Sequence, residues 1–324
     1  MSDDRTQVLE ELRGARKLLL TTHENPDGDA LGSLRATQII MQALGKDSLM
    51  FMAAENFPLP HEYRHMPFDD VVHEPPPDLH ERLVVFLDCG NIDRMPVDFL
   101  RTGGIRIVNI DHHHDNTRFG DVNLVVGHAS CTAEIVHDLA RELGVTIDKP
   151  LAEALYIALV TDTGKFMFEN TTPAAHRMAA DLIAAGVEPQ EVHQRLYEGL
   201  PFSRIQLLAR ALNSVQRFDD GALTLTHLTR DDFHHSEAME SDSEGIVDHM
   251  RQVEGTLVAA LVRELLEDES RRKVSLRATN GRVDVSVIAR GFGGGGHRQA
   301  AGFTTDIPLT ELIERLRTEI GAQL

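Results

Sequence analysis

Four apolar runs in the first third of the chain constrain its fold most. Residues 17–22 (KLLLTT), 48–52 (SLMFM), 82–89 (RLVVFLDC) and 105–113 (IRIVNIDHH) are continuous rather than alternating, and helical or loop-rich segments separate them. A strand that is apolar on both sides is buried on both faces, which is typical of a parallel sheet with helices on either side. We therefore predict a doubly wound, mainly parallel α/β sheet.

The second half of the chain has a different pattern. The segment from about 172 to 218 is almost wholly helical in periodicity, whereas residues 221–229 (GALTLTHLT) and 271–279 (RRKVSLRAT) alternate between apolar and polar side chains. Alternation predicts strands with one solvated face, and the amphipathic segment PLTELIERLRTEI predicts a last helix. At 324 residues the chain is long enough for two cores. We predict an α/β domain at 1–185, a helical connector at 186–215 and a smaller α/β domain at 216–324.

The charge balance limits the partners that the protein can bind. The chain has 51 acidic and 32 basic residues, a formal net charge of −19. Long nucleic acid binds to broad basic faces, so a stable complex with long RNA or DNA is not expected. Cys89 and Cys131 form neither a C-x-x-C pair nor a disulfide framework, which favours a reducing cytoplasm. No apolar run approaches the roughly 18 to 20 residues of a membrane span, and no signal peptide is expected.

Ionisable side chains follow three of the predicted strands and one predicted helix. Carboxyl ends of parallel strands meet at one edge of a sheet, so these side chains are expected to converge. They are His23, Asp27 and Asp29 after the first run, Asp88 after the third, Asp111, His112 and His113 after the fourth, and Asp162 after the helix at 150–161. One such aspartate alone is well explained as a helix cap, and one such histidine as a hydrogen-bonded core residue. Together, the carboxylates would repel each other strongly, and two divalent cations would remove that repulsion.

The ligand types indicate the class of ion. Carboxylates and imidazoles without a thiolate favour Mn²⁺ or a similar ion over a structural zinc, with Mg²⁺ and Co²⁺ as alternatives. Two ions about 3.5 to 4 Å apart form a clamp for displacement at phosphorus and generate hydroxide near neutral pH. The pattern therefore predicts phosphoryl chemistry that depends on two divalent metal ions, with Mn²⁺ favoured.

A glycine-rich segment, GFGGGGHRQAAG at 291–302, is the second candidate site. It satisfies the spacing G-x-G-x-x-G, but the sequence after it lacks room for the helix, strand and acidic residue of a dinucleotide-binding unit. The backbone N–H groups of Gly294, Gly295 and Gly296 are instead suited to cradle a phosphate, with His297 and Arg290 supplying positive charge. The alternative is a glycine-rich turn beside a core histidine.

Five segments, in this order, resemble the motifs of a known family. They are HENPDGDALGS (23–33), LDCGN (87–91), DHHHDN (111–116), TDTGKF (161–166) and GGGGHRQAAG (293–302). The family is the DHH phosphoesterases that carry a DHHA1 domain, and the resemblance covers essentially the whole chain. A chain with these two domains and no OB domain is similar to the branch of oligoribonucleases and pAp phosphatases, also called nanoRNases. Family II pyrophosphatases share the first four motifs but not the glycine-rich loop.

The resemblance implies a role for most of these residues. It divides the metal ligands between two ions: His23 and Asp27 for one, Asp29 and His112 for the other, with Asp88 bridging and Asp162 completing the set. His113 faces the scissile phosphate, and Asp111 fixes an imidazole tautomer. His114 has no implied role. Arg277, with His297 and its glycines, is a candidate for binding a second phosphate.

The function that the resemblance implies is that of a metal-dependent phosphodiesterase and phosphatase. Short oligoribonucleotides are expected to yield 5′-mononucleotides and pAp to yield AMP, while the second domain holds the distal end of the substrate. Hydrolysis of a cyclic dinucleotide or of pApA is the alternative that the sequence leaves open. A non-catalytic nucleotide sensor is disfavoured, because a sensor has no need for every metal ligand. The sequence leaves the oligomeric state open, with a homodimer as one option.

Overall fold

In the computed structural model, the four apolar runs form the centre of a six-stranded parallel sheet. The structure describes residues 2–95, 97–101, 104–279, 281–296 and 298–324. The strands are β1 (Lys17–Thr21), β2 (Asp47–Phe51), β3 (Val71–Val72), β4 (Leu83–Leu87), β5 (Ile107–Asp111) and β6 (Val122–Val125). Their spatial order is β3-β2-β1-β4-β5-β6, and every neighbouring pair is parallel. The predicted parallel fold is confirmed, and the outer strands β3 and β6 are additions to it.

Both faces of this sheet are covered, which explains why the runs do not alternate. Leu18 and Leu20 of β1 belong to a core shared with the helices, whereas Leu19 belongs to a second core on the opposite face. Among the described residues, the second core is completed by side chains such as Leu100 from two short 3₁₀ helices, Ile92–Arg94 and Asp98–Arg101. The prediction of α-helices on either side therefore holds for one face, and 3₁₀ turns cover the other.

The helices beside this sheet begin and end where local sequence signals place them. They are α1 (Ser2–Gly14), α2 (Gly28–Ala43), α3 (Thr132–Glu142), α4 (Lys149–Asp162), α5 (Pro173–Ala184) and α6 (Pro189–Tyr197). Helix α2 ends before Gly45, whose φ of 71° suits the left-handed residue that follows a helix. Helix α4 starts at the N-cap Asp148, whose carboxylate accepts a hydrogen bond from the Leu151 N–H at 3.2 Å.

The chain divides into two compact units, Met1–Glu198 and Gly199–Leu324, and the second unit is built on a mixed sheet. Its elements are α7 (Phe202–Asn213), β7 (Gln216–Phe218), β8 (Leu223–Leu228), α8 (Arg230–Ser236), α9 (Ile246–Arg251), β9 (Val258–Glu264), β10 (Arg272–Ala278), α10 (Val285–Gly291), β11 (Gly295–Gly296), β12 (Ala300–Thr305) and α11 (Leu309–Gly321). The strand order is β11-β12-β10-β9-β8-β7, with β8 and β9 parallel and the other neighbours antiparallel. The predicted second α/β fold is confirmed. The identity of 186–215 as a separate connector stays a prediction.

The glycine-rich segment lies between a helix and the sheet. Gly291 is the last residue of α10, so the strand that must precede a dinucleotide-binding motif is replaced by a helix. Gly295 and Gly296 pair with Gly302 and Ala301 of β12 as a short antiparallel strand. This placement agrees with the rejection of a dinucleotide site. Within the described part of the chain, every helix is too short or too polar to span a bilayer.

Candidate metal centre

The predicted ligands of the first unit converge at the carboxyl edge of the parallel sheet. His23 follows β1, Asp88 follows β4, and Asp111 ends β5. Asp162 arrives from a different direction, as the last residue of α4. The described residues contain three groups whose ligand atoms all lie within 4.8 Å of one another: His23, Asp27 and Asp88; Asp29, His112 and Asp162; and Asp88, His112 and His113.

The first group is organised around the imidazole of His23, which is buried. Its Nδ1 lies 2.7 Å from the carbonyl oxygen of Glu24 and 3.1 Å from the Arg94 guanidinium. The shorter contact, to an oxygen that can only accept, favours the tautomer with the hydrogen on Nδ1. The opposite nitrogen, Nε2, is buried without a hydrogen-bond partner and lies 3.7 Å from Asp88 Oδ2. A buried, deprotonated nitrogen beside carboxylates is the arrangement that a metal ion completes.

The second group is arranged in the same way, around the imidazole of His112. His112 Nδ1 lies 3.4 Å from the carbonyl oxygen of Ala129, which leaves Nε2 to face the carboxylates. From that nitrogen, Asp29 Oδ2 is 3.9 Å away and Asp162 Oδ2 is 3.7 Å away. These distances are too long for hydrogen bonds but suit ligands placed around one ion.

Asp88 connects the two groups. Its Oδ2 faces His23, while its Oδ1 lies 3.7 Å from His112 Nε2 and accepts a hydrogen bond from the Thr132 hydroxyl at 2.9 Å. The backbone of Asp88 is in the left-handed region, with φ of 57°, which is uncommon for an aspartate. This conformation turns the chain directly after β4 and presents both carboxylate oxygens to the site, as expected of a bridging ligand.

The clustered carboxyl groups repel one another when they are ionised, and their pKa values reflect this. Burial raises the pKa of Asp29 well above its ordinary value, and Asp88 and Asp162 raise it further. Burial also raises the pKa of Asp162 to about 7, with His112 opposing that shift. Burial acts in the same direction on Asp88, but the nearby imidazoles outweigh it and lower its pKa. The site holds more carboxylate than its imidazoles can neutralise, so it is suited to divalent cations.

His113 is committed to a different partner. Its Nδ1 lies 2.8 Å from Asp111 Oδ1, and the amide of Asn116 holds the other oxygen of that carboxylate at 2.5 Å. Burial lowers the pKa of His113, but the hydrogen bond to Asp111 and the charge of Asp88 raise it to about 9 overall. The Asp111–His113 hydrogen bond has the geometry that an orienting role requires, and that role stays a prediction. Asn116 is an unpredicted third member of the group. His114, which had no predicted role, is exposed.

Two of the predicted ligands, Asp27 and Asp29, also accept hydrogen bonds at helix starts. Helix capping and metal binding, the two explanations offered for such aspartates, are therefore compatible. Asp27 Oδ1 accepts hydrogen bonds from the Asp29 and Ala30 N–H groups at 3.1 Å, which caps α2. The Asp29 carboxylate accepts from the N–H groups of Thr132 and Ala133 at 2.6 and 3.1 Å, at the start of α3. Asp29 thereby ties α2 to α3 beside the ligand group.

Two glycines of α2 allow its close approach to α4. A Cβ at Gly28 would lie 2.2 Å from the Thr161 hydroxyl oxygen, and a Cβ at Gly32 would lie 2.5 Å from the carbonyl oxygen of Ala154. The small residues let the two helices touch, and this contact brings Asp162 at the end of α4 to the start of α2.

Arg94 is a site residue that sequence reasoning missed. Its guanidinium lies 3.1 Å from His23 Nδ1, and its charge opposes the rise of the His113 pKa. The one available signal was a lone cation six residues after Asp88, which no spacing rule distinguishes from a surface arginine. Its position adds positive charge at the edge of the carboxylate cluster.

The two cysteines have the properties of core residues rather than of nucleophiles. Cys89 and Cys131 are free and buried. Burial raises the pKa of the Cys89 thiol to about 12 and that of Cys131 well above its ordinary value. Both thiols are therefore protonated at neutral pH.

The predicted phosphate-binding residues of the second unit that the structure describes come from β10, α10 and the glycine-rich segment. Arg277 in β10 is partly exposed, and its Nε lies 3.4 Å from Asp248 Oδ1. Arg290 is exposed near the end of α10, and His297 lies outside the described residues. Gly294 has a packing reason to be glycine, because a Cβ there would lie 2.2 Å from the carbonyl oxygen of Gly302.

The other two glycines of this loop differ from each other. Gly296 has φ of 137°, and a Cβ on it would lie 2.5 Å from the carbonyl oxygen of Ala300, so the fold itself requires glycine there. A Cβ on Gly295 would meet nothing within 4 Å. Among the three, Gly295 is therefore the exposed glycine with open space beside its Cα, where an anion could approach.

Comparison with known proteins identifies relatives over the whole length. Family models match residues 17–159 (DHH family, N-terminal domain) and 224–323 (DHHA1 domain). A Thermus thermophilus protein described as "Bifunctional oligoribonuclease and PAP phosphatase NrnA" is 34% identical over 324 residues, which cover 98% of this chain and 93% of that protein. The match to the DHH family model includes every residue of the three ligand groups except Asp162. The match to the DHHA1 model includes Arg277 and the glycine-rich segment.

Solved structures show the same fold. An exopolyphosphatase-related protein from Bacteroides fragilis superposes with a TM-score of 0.89 at 22% identity, covering 99% of this chain and 96% of that one. RecJ from Thermus thermophilus, solved in complex with Mn²⁺, superposes with a TM-score of 0.56 at 15% identity, covering 98% of this chain and 54% of that one.

Proposed function

The chain belongs to the DHH family of phosphoesterases, and we propose that it hydrolyses short oligoribonucleotides and pAp at a centre of two divalent ions in its first unit. The observation that carries this proposal is the pair of ligand groups joined by Asp88, with the buried Nε2 of His23 lacking any partner. The relative from Thermus thermophilus is described as an oligoribonuclease and pAp phosphatase, and this chain covers 93% of it. We propose 5′-mononucleotides as the products from RNA, and AMP and phosphate from pAp.

The residues present fit two ions. His23 and Asp27 would hold one, Asp29, His112 and Asp162 the other, and Asp88 both. Nitrogen and carboxylate ligands without thiolate support Mn²⁺ as the ion. When bound, such ions supply an acidified water and neutralise charge on the reacting phosphate.

Two further residues of the site act on the substrate side: Asp111 orients the ring of His113, and His113 donates a hydrogen. The Asp111 carboxylate holds the hydrogen on His113 Nδ1 and fixes the plane of the ring. The hydrogen bond from Nδ1 to Asp111 favours the protonated form of His113, and in that form its Nε2 can donate a hydrogen to a phosphoryl oxygen. A cationic donor on the open side of the cluster stabilises the charge that develops there.

We also propose that the second unit binds a further phosphate of the substrate through Arg277, Arg290, Gly294, Gly295, Gly296 and His297. The partly exposed guanidinium of Arg277 and the open backbone at Gly295 support this role. Binding of a second phosphate favours short substrates, because both ends of a short substrate can be bound at once. An exterior with a net charge of −19 also disfavours long anionic polymers. The free cysteines support a cytoplasmic location, and a homodimer stays a prediction.

The test is a substrate panel. The purified protein, supplied with Mn²⁺, is incubated separately with pAp, pApA, a five-nucleotide RNA, a cyclic dinucleotide and pyrophosphate, and the products are resolved by chromatography. We expect release of AMP from pAp and of mononucleotides from the RNA. Cleavage of pyrophosphate alone would refute the substrate assignment, and exclusive cleavage of the cyclic dinucleotide would establish the alternative.

The variant Asp88→Asn tests whether the protein is an enzyme or a non-catalytic nucleotide sensor. It should abolish binding of at least one Mn²⁺ and lower turnover by more than about 100-fold, because the bridging ligand is lost. Asp115→Asn changes an exposed aspartate four residues after Asp111 and is the matched control, which should keep full activity. A wild-type protein that binds pAp but hydrolyses none of the panel with any divalent ion would be a sensor.

A further inference from the structure

The segment that follows Asp162 contains an unusual turn. Gly164, Lys165 and Phe166 are all left-handed, with φ of 55°, 62° and 64°. Left-handed backbone costs about 1–2 kcal/mol for each non-glycine residue, and such residues normally occur singly. Three in a row persist only where the surroundings hold them in place.

Side-chain contacts on both sides provide that support. The Thr163 hydroxyl accepts a hydrogen bond from the Phe166 N–H at 3.2 Å. The Phe166 ring stacks on His176 with centroids 5.0 Å apart, and the Lys165 ammonium lies 3.9 Å from the centre of the Tyr197 ring. The turn is therefore a rigid part of the first unit.

This rigid turn exposes two large apolar side chains. Met167 is 81% exposed and Phe168 is 49% exposed. The Phe168 ring lies against the backbone of Gly164, where a Cβ would be 2.5 Å from ring atoms, so the ring is supported from beneath. Exposure of two large apolar side chains is unfavourable, and so is the left-handed backbone at 164–166 that precedes them. A ligand that covers the two side chains would offset this cost.

The same turn is fastened to the metal centre. The side-chain amide of Asn170 donates to Asp162 Oδ2 and to its carbonyl oxygen, both at 3.1 Å, and to the carbonyl oxygen of Ser130 at 2.8 Å. Phe168 is thus separated by one residue from the amide that fixes a proposed metal ligand. A group stacked on Phe168 would be positioned by the element that positions Asp162.

We propose that Phe168, with Met167 beside it, is the stacking surface for the nucleobase next to the scissile phosphate. The inference rests on the proposed function, because it names what the site holds beyond the phosphate. An aromatic face binds any of the bases, and stacking contributes about 1–3 kcal/mol per base. The thioether extends the surface with a polarisable contact. A platform of this kind selects nucleotides over other phosphate esters without selecting among sequences.

A pair of substrates that differ only in the base tests the proposal kinetically. Phe168→Ala should lower kcat/KM for pAp by roughly 5- to 150-fold, the equivalent of about 1–3 kcal/mol, and Phe168→Tyr should restore most of it. With 1-deoxyribose 3,5-bisphosphate, which lacks the base, the wild type and Phe168→Ala should react equally. An equal loss on both substrates would show that Phe168 only supports Asp162, and no loss on pAp would assign the exposed pair to another role, such as a protein contact.

A binding measurement keeps the proposal testable without hydrolysis. The chain contains no tryptophan, so Phe168→Trp introduces a single tryptophan, whose emission can be excited selectively, at the proposed surface. AMP should quench its emission and ribose 5-phosphate should not. Phe202→Trp, at a phenylalanine of the second unit that is 73% exposed, is the control and should respond to neither. Absence of selective quenching at position 168 would overturn the inference, whereas a wild type that hydrolyses nothing would overturn the proposed function alone.

Discussion

At the level of single residues, the three imidazoles of the site differ in where each directs its Nδ1 hydrogen. His23 and His112 donate to backbone carbonyl oxygens, which leaves Nε2 free beside the carboxylates. His113 is bonded to the carboxylate of Asp111 instead, so its Nε2 is free to act on a substrate. Identical side chains therefore have different chemistry because their partners differ.

Replacing Asp111 by asparagine tests the orienting role. The new amide can still meet Asn116 but carries no charge to hold a proton on His113, so kcat should fall by roughly 10- to 100-fold. The affinity for Mn²⁺ should remain within about 2-fold, because Asp111 is absent from the three ligand groups of the described residues. Steady-state kinetics and calorimetric titration with Mn²⁺ measure the two effects.

His114→Ala is the matched control for that experiment. His114 is exposed and adjacent to His113, and its replacement should leave both kcat and Mn²⁺ affinity unchanged. If Asp111→Asn weakened Mn²⁺ binding as strongly as Asp88→Asn, Asp111 would have to be reassigned as a ligand.

At the level of elements, the contact between α2 and α4 decides where the ligand groups form. The parallel sheet brings His23, Asp88 and His112 together, but Asp162 comes from a helix end. Gly28 and Gly32 allow the two helices to touch, so the position of Asp162 depends on the absence of two side chains elsewhere.

Gly32→Ala should destabilise the first unit although alanine is the better helix former. In an open helix position this change stabilises by up to about 1 kcal/mol. Here the new Cβ would lie 2.5 Å from the carbonyl oxygen of Ala154, so the helices must separate, and we expect a loss of about 1–3 kcal/mol. Gly14→Ala, with nothing within 4 Å, is the matched control and should not lower the stability. Urea unfolding of both variants and their Mn²⁺ affinities provide the measurement.

The opposite edge of the sheet is held by Arg82, whose side chain is buried. Its guanidinium donates to Asp47 at 2.9 and 3.1 Å, to Asp78 at 2.8 and 3.1 Å, and to the carbonyl oxygen of Leu18 at 3.2 Å. Lys17 adds a bond to Asp78 at 2.8 Å. One arginine thus connects the beginnings of β1, β2 and β4.

This network predicts a pH dependence of stability. Hydrogen bonds from Arg82 and Lys17 lower the pKa of Asp78 to about 2. Because this value lies below the unfolded value of about 3.9, the ionised carboxylate stabilises the fold above about pH 4, and its contribution is lost as the pH falls toward 2. Asp78→Asn should lower Tm at pH 7, and its difference from the wild type should shrink between pH 4 and pH 2. A constant difference across that range, in calorimetric scans, would contradict the assignment.

At the level of the whole molecule, each unit has its own hydrophobic cores. Of the core clusters formed by the residues that the structure describes, two lie within Met1–Glu198 and two within Gly199–Leu324. Among the described residues, the metal-ligand groups all belong to the first unit. Binding of metal should therefore stabilise one unit directly, because it relieves repulsion among carboxylates in that unit alone.

Calorimetry with and without metal tests this expectation. We expect two unfolding transitions, and Mn²⁺ at 100 times its Kd should stabilise the first unit by about 2.7 kcal/mol for each ion that it binds. For a unit of this size, each ion therefore raises Tm by roughly 5–10 °C. Addition of EDTA should reverse the rise, and Asp88→Asn should show little of it. A shift of equal size in the transition of the second unit would indicate that metal acts elsewhere.

Much of the fold could be predicted because the signals were local. Continuous apolar runs predicted the four central strands, since burial on both faces leaves no polar positions. The positions of His23, Asp88 and Asp111 followed, because parallel strands end at one edge. The 3₁₀ segments that cover the second face, the left-handed backbone of Asp88 and the role of Arg94 were not predictable, because none has a periodic signal.

The order of residues along the chain was enough to establish which side chains stand at the ends of which strands, and hence that carboxylates and imidazoles would assemble at one sheet edge. Three features emerge only once the chain is packed: which nitrogen of each imidazole is free, that Asp29 also caps α3, and that Asp162 arrives through the contact of α2 with α4. The difference arises because strands are specified by an apolar pattern that is local along the chain. Hydrogen-bond partners and helix contacts depend instead on residues that are distant in sequence and meet only after packing.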